Sequence, residues 1–277
     1  MKKIKILVGY HKKDKLYKND IMVPIHCGRV LATEASKDGK ISQEDYNWLL
    51  ENMIGDDTGE NISNLNRSIN EMTAIYWAWK NYDKLGNPDY IGLNHYRRFF
   101  DIPYSKINKI LDKYDFIKTP HGFTRRTFYE KWNFGENSKD FLKSALDICK
   151  KINPDEGAKI EQFFHGHIGK GWCNMFVLPK EDFFEYCNFM FSIILNLPND
   201  TKYGRLAGMF AERLTSYYLY NLSLKKRAKS ASIIDFMQYS SKEFFLKHIF
   251  NIEQIKRYDK IHTIISILGI KLKFNIG

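Results

Sequence analysis

The chain has 277 residues, 44% hydrophobic and 15% aromatic, enough for one large domain or two small ones around a sizeable core. Its 43 lysines and arginines against 32 acids leave a net charge of +11, which points to an anionic partner: nucleic acid, an anionic membrane or a phosphorylated small molecule. No apolar run reaches the ~18–20 residues of a membrane span, and four scattered cysteines without a CxxC, behind no signal peptide, suit a reduced cytosol.

Lys5 to Tyr10 reads as a buried strand that ends in the polar run His11-Lys12-Lys13-Asp14, as at the carboxyl edge of an α/β sheet, where ligands bind. A second extended piece, Ile21 to Ile25, leads into Cys27-Gly28-Arg29. Ser42 can cap a helix that ends near Ile54-Gly55, and 56–61 is loop. From Ile62 the stripe Leu65, Ile69, Met72, Tyr76 and Trp79 predicts one continuous helix. After a turn over Asn81–Pro88, the strand Asp89–Leu93 runs into Asn94-His95-Tyr96-Arg97-Arg98. A short helix (Lys106–Lys113) and a strand (Asp115–Thr119) follow, then a long aromatic and basic loop from His121 to Asn137. Helices over Ser138–Lys151 and Asp155–Phe164, a glycine-rich stretch, the strand Asn174–Leu178 and helices over Pro179–Leu195 and Arg205–Leu222 complete the pattern. The last fifty residues read as helical and basic. There Ile261, Ile264, Ile265 and Leu268 form a stripe that suits either packing on the domain or an anionic membrane surface. The expected division is therefore 1–222 and 223–277.

Three constellations carry chemistry. After the strand at Tyr90, one imidazole and two guanidiniums arrive together, and guanidinium forks fit phosphate oxygens. A solvated surface or pairing with carboxylates is the plainer reading, and neighbours on a continuing strand point to opposite faces. Asp57, Asn61, Ser63 and Asn66 precede the Glu71 helix, where they either cap it or bind sugar hydroxyls. Glu212 and Arg213 sit in an otherwise apolar helix, as a desolvated general base or as a structural ion pair. Metal chemistry has little support: His165-Gly-His167 lacks a third ligand, and no Asp-x-Asp follows a strand. No P-loop, GxGxxG, GxSxG, zinc finger or RNP signature is present, which argues against NTPases, dinucleotide enzymes, serine hydrolases and nucleic-acid modules.

Taken in order, His11-Lys12, Asp57-x-x-Glu60-Asn61-Ile-Ser63, Asn70-Glu71-Met-Thr73-x-x-Tyr76-Trp77-x-Trp79, Tyr90-Ile-Gly92-Leu-x-His95-Tyr96-Arg97-Arg98, Cys173-Asn174-Met175-Phe176 and Arg205-x-x-Gly208-x-x-Ala211-Glu212-Arg213 resemble the DUF4422 family of capsule and lipopolysaccharide loci. The resemblance runs from Ile6 to about Tyr218. It implies a GT-A-like, Rossmann-type α/β fold with a mainly parallel sheet flanked by helices, here followed by the helical basic extension. It also implies an inverting transfer of a hexose, with galactose or galactofuranose from UDP the first guess, onto a surface-polysaccharide or lipid-linked acceptor. On that reading Glu212 is the base and Asp57 its understudy. His11, Lys12, Asn61, Asn66, His95, Tyr96, Arg97 and Arg98 hold the donor, the cations standing in for a divalent metal, so that none is expected. Glu71, Trp77, Asn174, Arg205 and Arg213 touch sugar or acceptor. A glycan-binding module without catalysis and an RNA-binding protein are the competing classes, though no nucleic-acid partner is expected.

Overall fold

The computed structural model describes residues 2–35, 40–169, 173–198, 200–235, 250–257, 260–267 and 270–276. Its strands are β1 (Ile4–Tyr10), β2 (Met22–His26), β3 (Ile54–Gly55), β4 (Tyr90–His95), β5 (Arg98–Phe100), β6 (Phe116–Lys118), β7 (Gly122–Phe123), β8 (Ile168–Gly169), β9 (Phe176–Pro179), β10 (Ala228–Ser230), β11 (Ile233–Asp235), β12 (Phe250–Arg257), β13 (Lys260–Ile267) and β14 (Ile270–Ile276). Its helices are α1 (Gln43–Asn52), α2 (Asn66–Ile69), α3 (Met72–Lys80), α4 (Ile107–Lys113), α5 (Phe128–Lys131), α6 (Ser138–Ile152), α7 (Pro154–His165), α8 (Lys180–Ile194) and α9 (Leu206–Lys225). They fall into two compact units: Met1–Tyr96 with Phe100–Ile233, and Arg97–Phe99 with Ile234–Gly277.

The first unit is built on a sheet of order β10-β6-β9-β4-β1-β2-β3. Every neighbouring pair is parallel except those made by β9, which runs antiparallel to both β4 and β6. Side chains alternate across a strand, and the two cores follow that alternation. Leu7, Phe116, Phe176 and Leu178 join the larger core, with α3, α6, α7, α8 and α9. Ile4, Ile6, Ile117, Met175 and Val177 join the smaller one, with α4. The sheet is therefore covered on both faces, as the apolar runs of its strands require.

Three expectations are corrected. The helix from Ile62 is broken: a 3₁₀ turn (Ser63–Leu65) and α2 end at Asn70, whose φ of 54° stops the helix before α3 begins. The boundary at 222 also moves. The helix α9 runs on to Lys225, and β10, hidden in the charged run Lys225–Lys229, pairs with β6 inside the first unit. The tail is not helical where described: β11 pairs with β5, and β12, β13 and β14 form an antiparallel sheet. The reason lies in the sequence. Ile270, Leu272, Phe274 and Ile276 alternate with Lys271, Lys273 and Asn275, a period of two, and Ile and Thr crowd the preceding strand. Leu268, part of the helical stripe, lies outside the described residues.

Candidate functional site

Parallel strands deliver their carboxyl ends to one edge. There β1 presents His11 and Lys12, β2 leads into Cys27–Arg29, β3 into Asp56 and Asp57, β4 ends on His95, and β6 ends on Lys118. Because β9 runs the other way, its entry, Cys173-Asn174, arrives at the same edge.

Glu71, just before α3, lies at the centre of a polar chain. The Asn174 carboxamide donates to Glu71 Oε1 (2.8 Å), and His95 Nε2 stands 3.6 Å from the same oxygen. His95 Nε2–H also donates to the Cys173 carbonyl (2.6 Å), which fixes its tautomer. Behind this, Thr215 Oγ1 donates to Asn174 Oδ1 (2.7 Å), and Thr215 in turn bonds the Tyr186 hydroxyl (2.8 Å). Thus α9 and α8 support the carboxylate from below. Cys173 and Asn174 hold φ of 77° and 49°, and Asn70, beside Glu71, holds 54°. Such conformations are costly for non-glycine residues and collect at functional sites. Asn70 accepts from Arg205 Nε (2.7 Å), and Gly208 is needed opposite it, since a methyl there would overlap the Asn70 carboxamide.

Asp56 is fully buried and takes four donors: the amides of Gly28 (2.7 Å) and Arg29 (3.1 Å), Ser63 Oγ (2.5 Å) and Thr73 Oγ1 (2.5 Å). It is a structural anchor that ties the β2 and β3 loops to α3. Asp57 turns its Oδ1 inward, where no hydrogen-bond partner reaches it among the described residues. Asn66 donates to the Asn70 carbonyl (2.7 Å) and to Thr73 Oγ1 (3.1 Å), and Asn61 folds back on the carbonyls of Asp57 and Gly59. Both amides therefore shape the loop. Trp77 is 2% exposed and donates its indole N–H to Thr58 O (2.8 Å), so it belongs to the core rather than to a sugar-binding surface. Tyr96 is buried against Tyr10 (5.4 Å between centroids), with His11 edge-on to it (5.3 Å). Glu212 Oε2 is met by Arg213 Nη1 (3.1 Å), and that guanidinium lies over Trp132 and Phe134, its pKa lowered by burial. The ion-pair reading of this couple is the one the contacts display. In the second unit, Arg98 Nε bonds Asp235 Oδ2 (2.8 Å), and Arg97 belongs to the same unit.

One group escaped sequence reading. Lys118 is 4% exposed, and desolvation lowers its pKa to about 8. Its ammonium donates to His121 Nδ1 (2.6 Å), and His121 Nε2–H donates to the Ser216 carbonyl (2.9 Å). Burial, with the Lys118 charge second, lowers the His121 pKa to about 4. Ser216 neighbours Thr215, and Lys118 pairs in register with Phe176, two residues beyond Asn174. The two polar chains therefore run side by side at one edge. A lysine closing the apolar run Phe116-Ile117 was the available signal. Among the described residues, no three His, Cys, Asp or Glu side chains converge as metal ligands, and no helix is long and apolar enough to cross a membrane.

The family model described as a domain of unknown function, DUF4422, matches residues 5–225, and the chain belongs to that family. Among solved structures, it is similar to the apo structure of WbbM, a bifunctional glycosyltransferase: TM-score 0.65 and 25% identity, over 83% of this chain and 45% of that one. This chain thus spans less than half the length of WbbM, and the shared architecture is GT-A-like: a mixed, mostly parallel sheet flanked by helices. No curated protein matches it.

Proposed function

We propose that the chain is a glycosyltransferase that moves a hexose from a nucleotide donor to a growing surface polysaccharide or a lipid-linked acceptor. Galactose or galactofuranose from UDP is the first donor to try, and the cytoplasmic face of a membrane is the proposed place of work. What carries the reading is one coincidence. The likeness to a glycosyltransferase extends over most of the chain, and within that region the carboxyl edge of the sheet gathers Glu71, His95 and Asn174, with positive φ at Asn70, Cys173 and Asn174.

In such a transfer an acceptor hydroxyl attacks the anomeric carbon and a base takes its proton. The bond to the diphosphate breaks, and the nucleoside diphosphate leaves with the electron pair. Glu71 suits the base role better than Glu212, because Asn174 orients it at the sheet edge, whereas Glu212 is paired with the Arg213 guanidinium. Asp57, second to Glu212 on the sequence, becomes the third choice. The slot after β4 reads His95-Tyr96-Arg97-Arg98 rather than Asp-x-Asp, and this motif difference supports a transfer that does not depend on a divalent ion. The departing charge is assigned to the Lys12 ammonium and to the His95 imidazole as a polar neighbour, both at the sheet edge of the first unit. Transfer is proposed to be inverting and indifferent to EDTA.

The test is thermal unfolding with UDP, GDP and CMP. A nucleotide at a hundred times its Kd stabilises by about 2.7 kcal/mol, and UDP is expected to do so. If no nucleotide raises the transition, the proposal fails. With the donor known, Glu71→Gln is expected to cut turnover by about 10²–10⁴ with folding intact. Full turnover in Glu71→Gln, with loss in Glu212→Gln, would return the base to Glu212.

A further inference from the structure

The ribbon that follows Lys118 is the least economical piece of surface in the first unit. Phe123 is 76% exposed, although burial of such an apolar ring is strongly favourable. It is held rigidly all the same. β7 pairs with β8, Thr124 N–H donates to the His167 carbonyl (2.8 Å), and His167 Nδ1–H returns a bond to the Thr124 carbonyl (2.9 Å). The imidazole so fixed stacks behind Phe123, centroids 5.5 Å apart. Two residues earlier, His165 stacks behind exposed Tyr129 at 4.1 Å, and the Lys139 ammonium lies 4.7 Å over the same ring. A capping box on Thr127 and Glu130 and the buried Phe128, packed on Phe163 and Phe164, lock this second stack to the end of α7. Arg125 and Arg126 are exposed alongside.

We infer that the outward ring of Phe123, backed by His167, is an aromatic platform that binds the glycan chain of the acceptor. Sugars present apolar C–H faces that stack on rings and hydroxyls that seek donors at the rim. Here the rim is imidazole, guanidinium and threonine. An anionic bilayer suits the ridge less well, because surface anchoring draws on a continuous apolar helix face, whereas the ridge offers one fully outward ring set among polar groups. The platform rests on the proposed transfer at the sheet edge: the ribbon leaves that edge four residues after Lys118, which is where an acceptor would enter.

The experiment uses the full chain on an array of bacterial capsular and O-antigen polysaccharides and their galactose-containing oligosaccharides, without nucleotide. Binding of at least one glycan is expected, weakened about tenfold or more in Phe123→Ala, about 1.4 kcal/mol, and kept in Phe123→Trp. The UDP-induced rise in unfolding temperature is expected to be unchanged in Phe123→Ala, so that failure of the platform and failure of the transferase reading are separate results. Equal glycan binding by Phe123→Ala and the parent, or no glycan bound by the parent, overturns the platform. So does loss of binding to phosphatidylcholine–phosphatidylglycerol vesicles in Phe123→Ala with glycan binding intact, which makes the ridge a membrane contact.

Discussion

Lys118 shows how a single buried group couples stability to pH. Its folded pKa of about 8 lies below the ordinary 10.5, so between these values the unfolded chain holds the proton that the native state gives up. Stability therefore rises with pH from about 8 towards 10.5, and below 8 the full penalty is present. At pH 7 that penalty is about 3 kcal/mol. Lys118→Met removes it but leaves His121 Nδ1 without a donor, a cost of about 1–2 kcal/mol. The variant is expected to be about 1 kcal/mol more stable than the parent at pH 7, with the gain gone by pH 9.5; urea denaturation of both proteins at the two values checks this. A more stable variant that turns over more slowly would mark Lys118 as functional, since working sites give up stability. His26 acts at the other end. It is 1% exposed, and burial, with Arg29 and His11 nearby, lowers its pKa to about 3. The unfolded chain protonates there from about 6.5 downward, so stability is lost as pH falls from 6.5 to 3. His26→Asn is expected to flatten the fall of Tm between pH 6.5 and 4.5, and an unchanged slope would remove His26 from the account. Neither group stood out in the sequence, because burial of one imidazole or one amine depends on contacts far along the chain: Lys118 meets α9 through His121 and Ser216.

Among the elements, the parallel strands were legible because doubly covered strands read as unbroken apolar runs, as Ile6-Leu-Val8 and Ile91–Leu93 do. The polar residues that close those runs, His11 and His95, were legible with them. The break at Asn70 was not, since a periodic stripe carries no sign of one residue at positive φ; the Gly208–Asn70 approach that holds it comes from a helix more than a hundred residues away. In the tail a helical spacing of isoleucines competed with an alternating one, and the β-branched content favoured the strand. The α6–α7 pair offers a test at this scale. A methyl at Gly157 would overlap the backbone of Cys149 and Lys150, so the two helices touch through this residue. Gly157→Ala is expected to cost about 1–3 kcal/mol by overpacking, despite the better helix propensity of alanine. Guanidinium denaturation checks it, and a stabilised variant would mean that the helices slide apart freely.

At the scale of the molecule, the sheet decides where the first unit ends. A chain stopped at Leu222 loses the last turn of α9, the strand β10 and two ion pairs. One of these joins Lys226 Nζ to Asp182 Oδ1 (2.5 Å), with the Asp182 side chain 3% exposed; the other joins Arg227 to Asp115 (2.7 Å). Leaving a buried carboxylate without its cation costs about 3 kcal/mol or more, and the bare edge of β6 exposes unpaired backbone that invites association. Against a total stability of about 5–15 kcal/mol, these losses remove much of the margin. A 1–222 fragment is expected to aggregate or to melt without a cooperative transition, whereas a 1–233 fragment, which keeps β10, unfolds cooperatively. Composition placed the boundary at 222 because Lys225–Lys229 looks like the start of a solvated tail. A strand of three residues between charges carries almost no periodic signal, and only its partner β6 reveals it. Equal transition temperatures for the two fragments would show that β10 adds nothing to the sheet and would restore the boundary at 222.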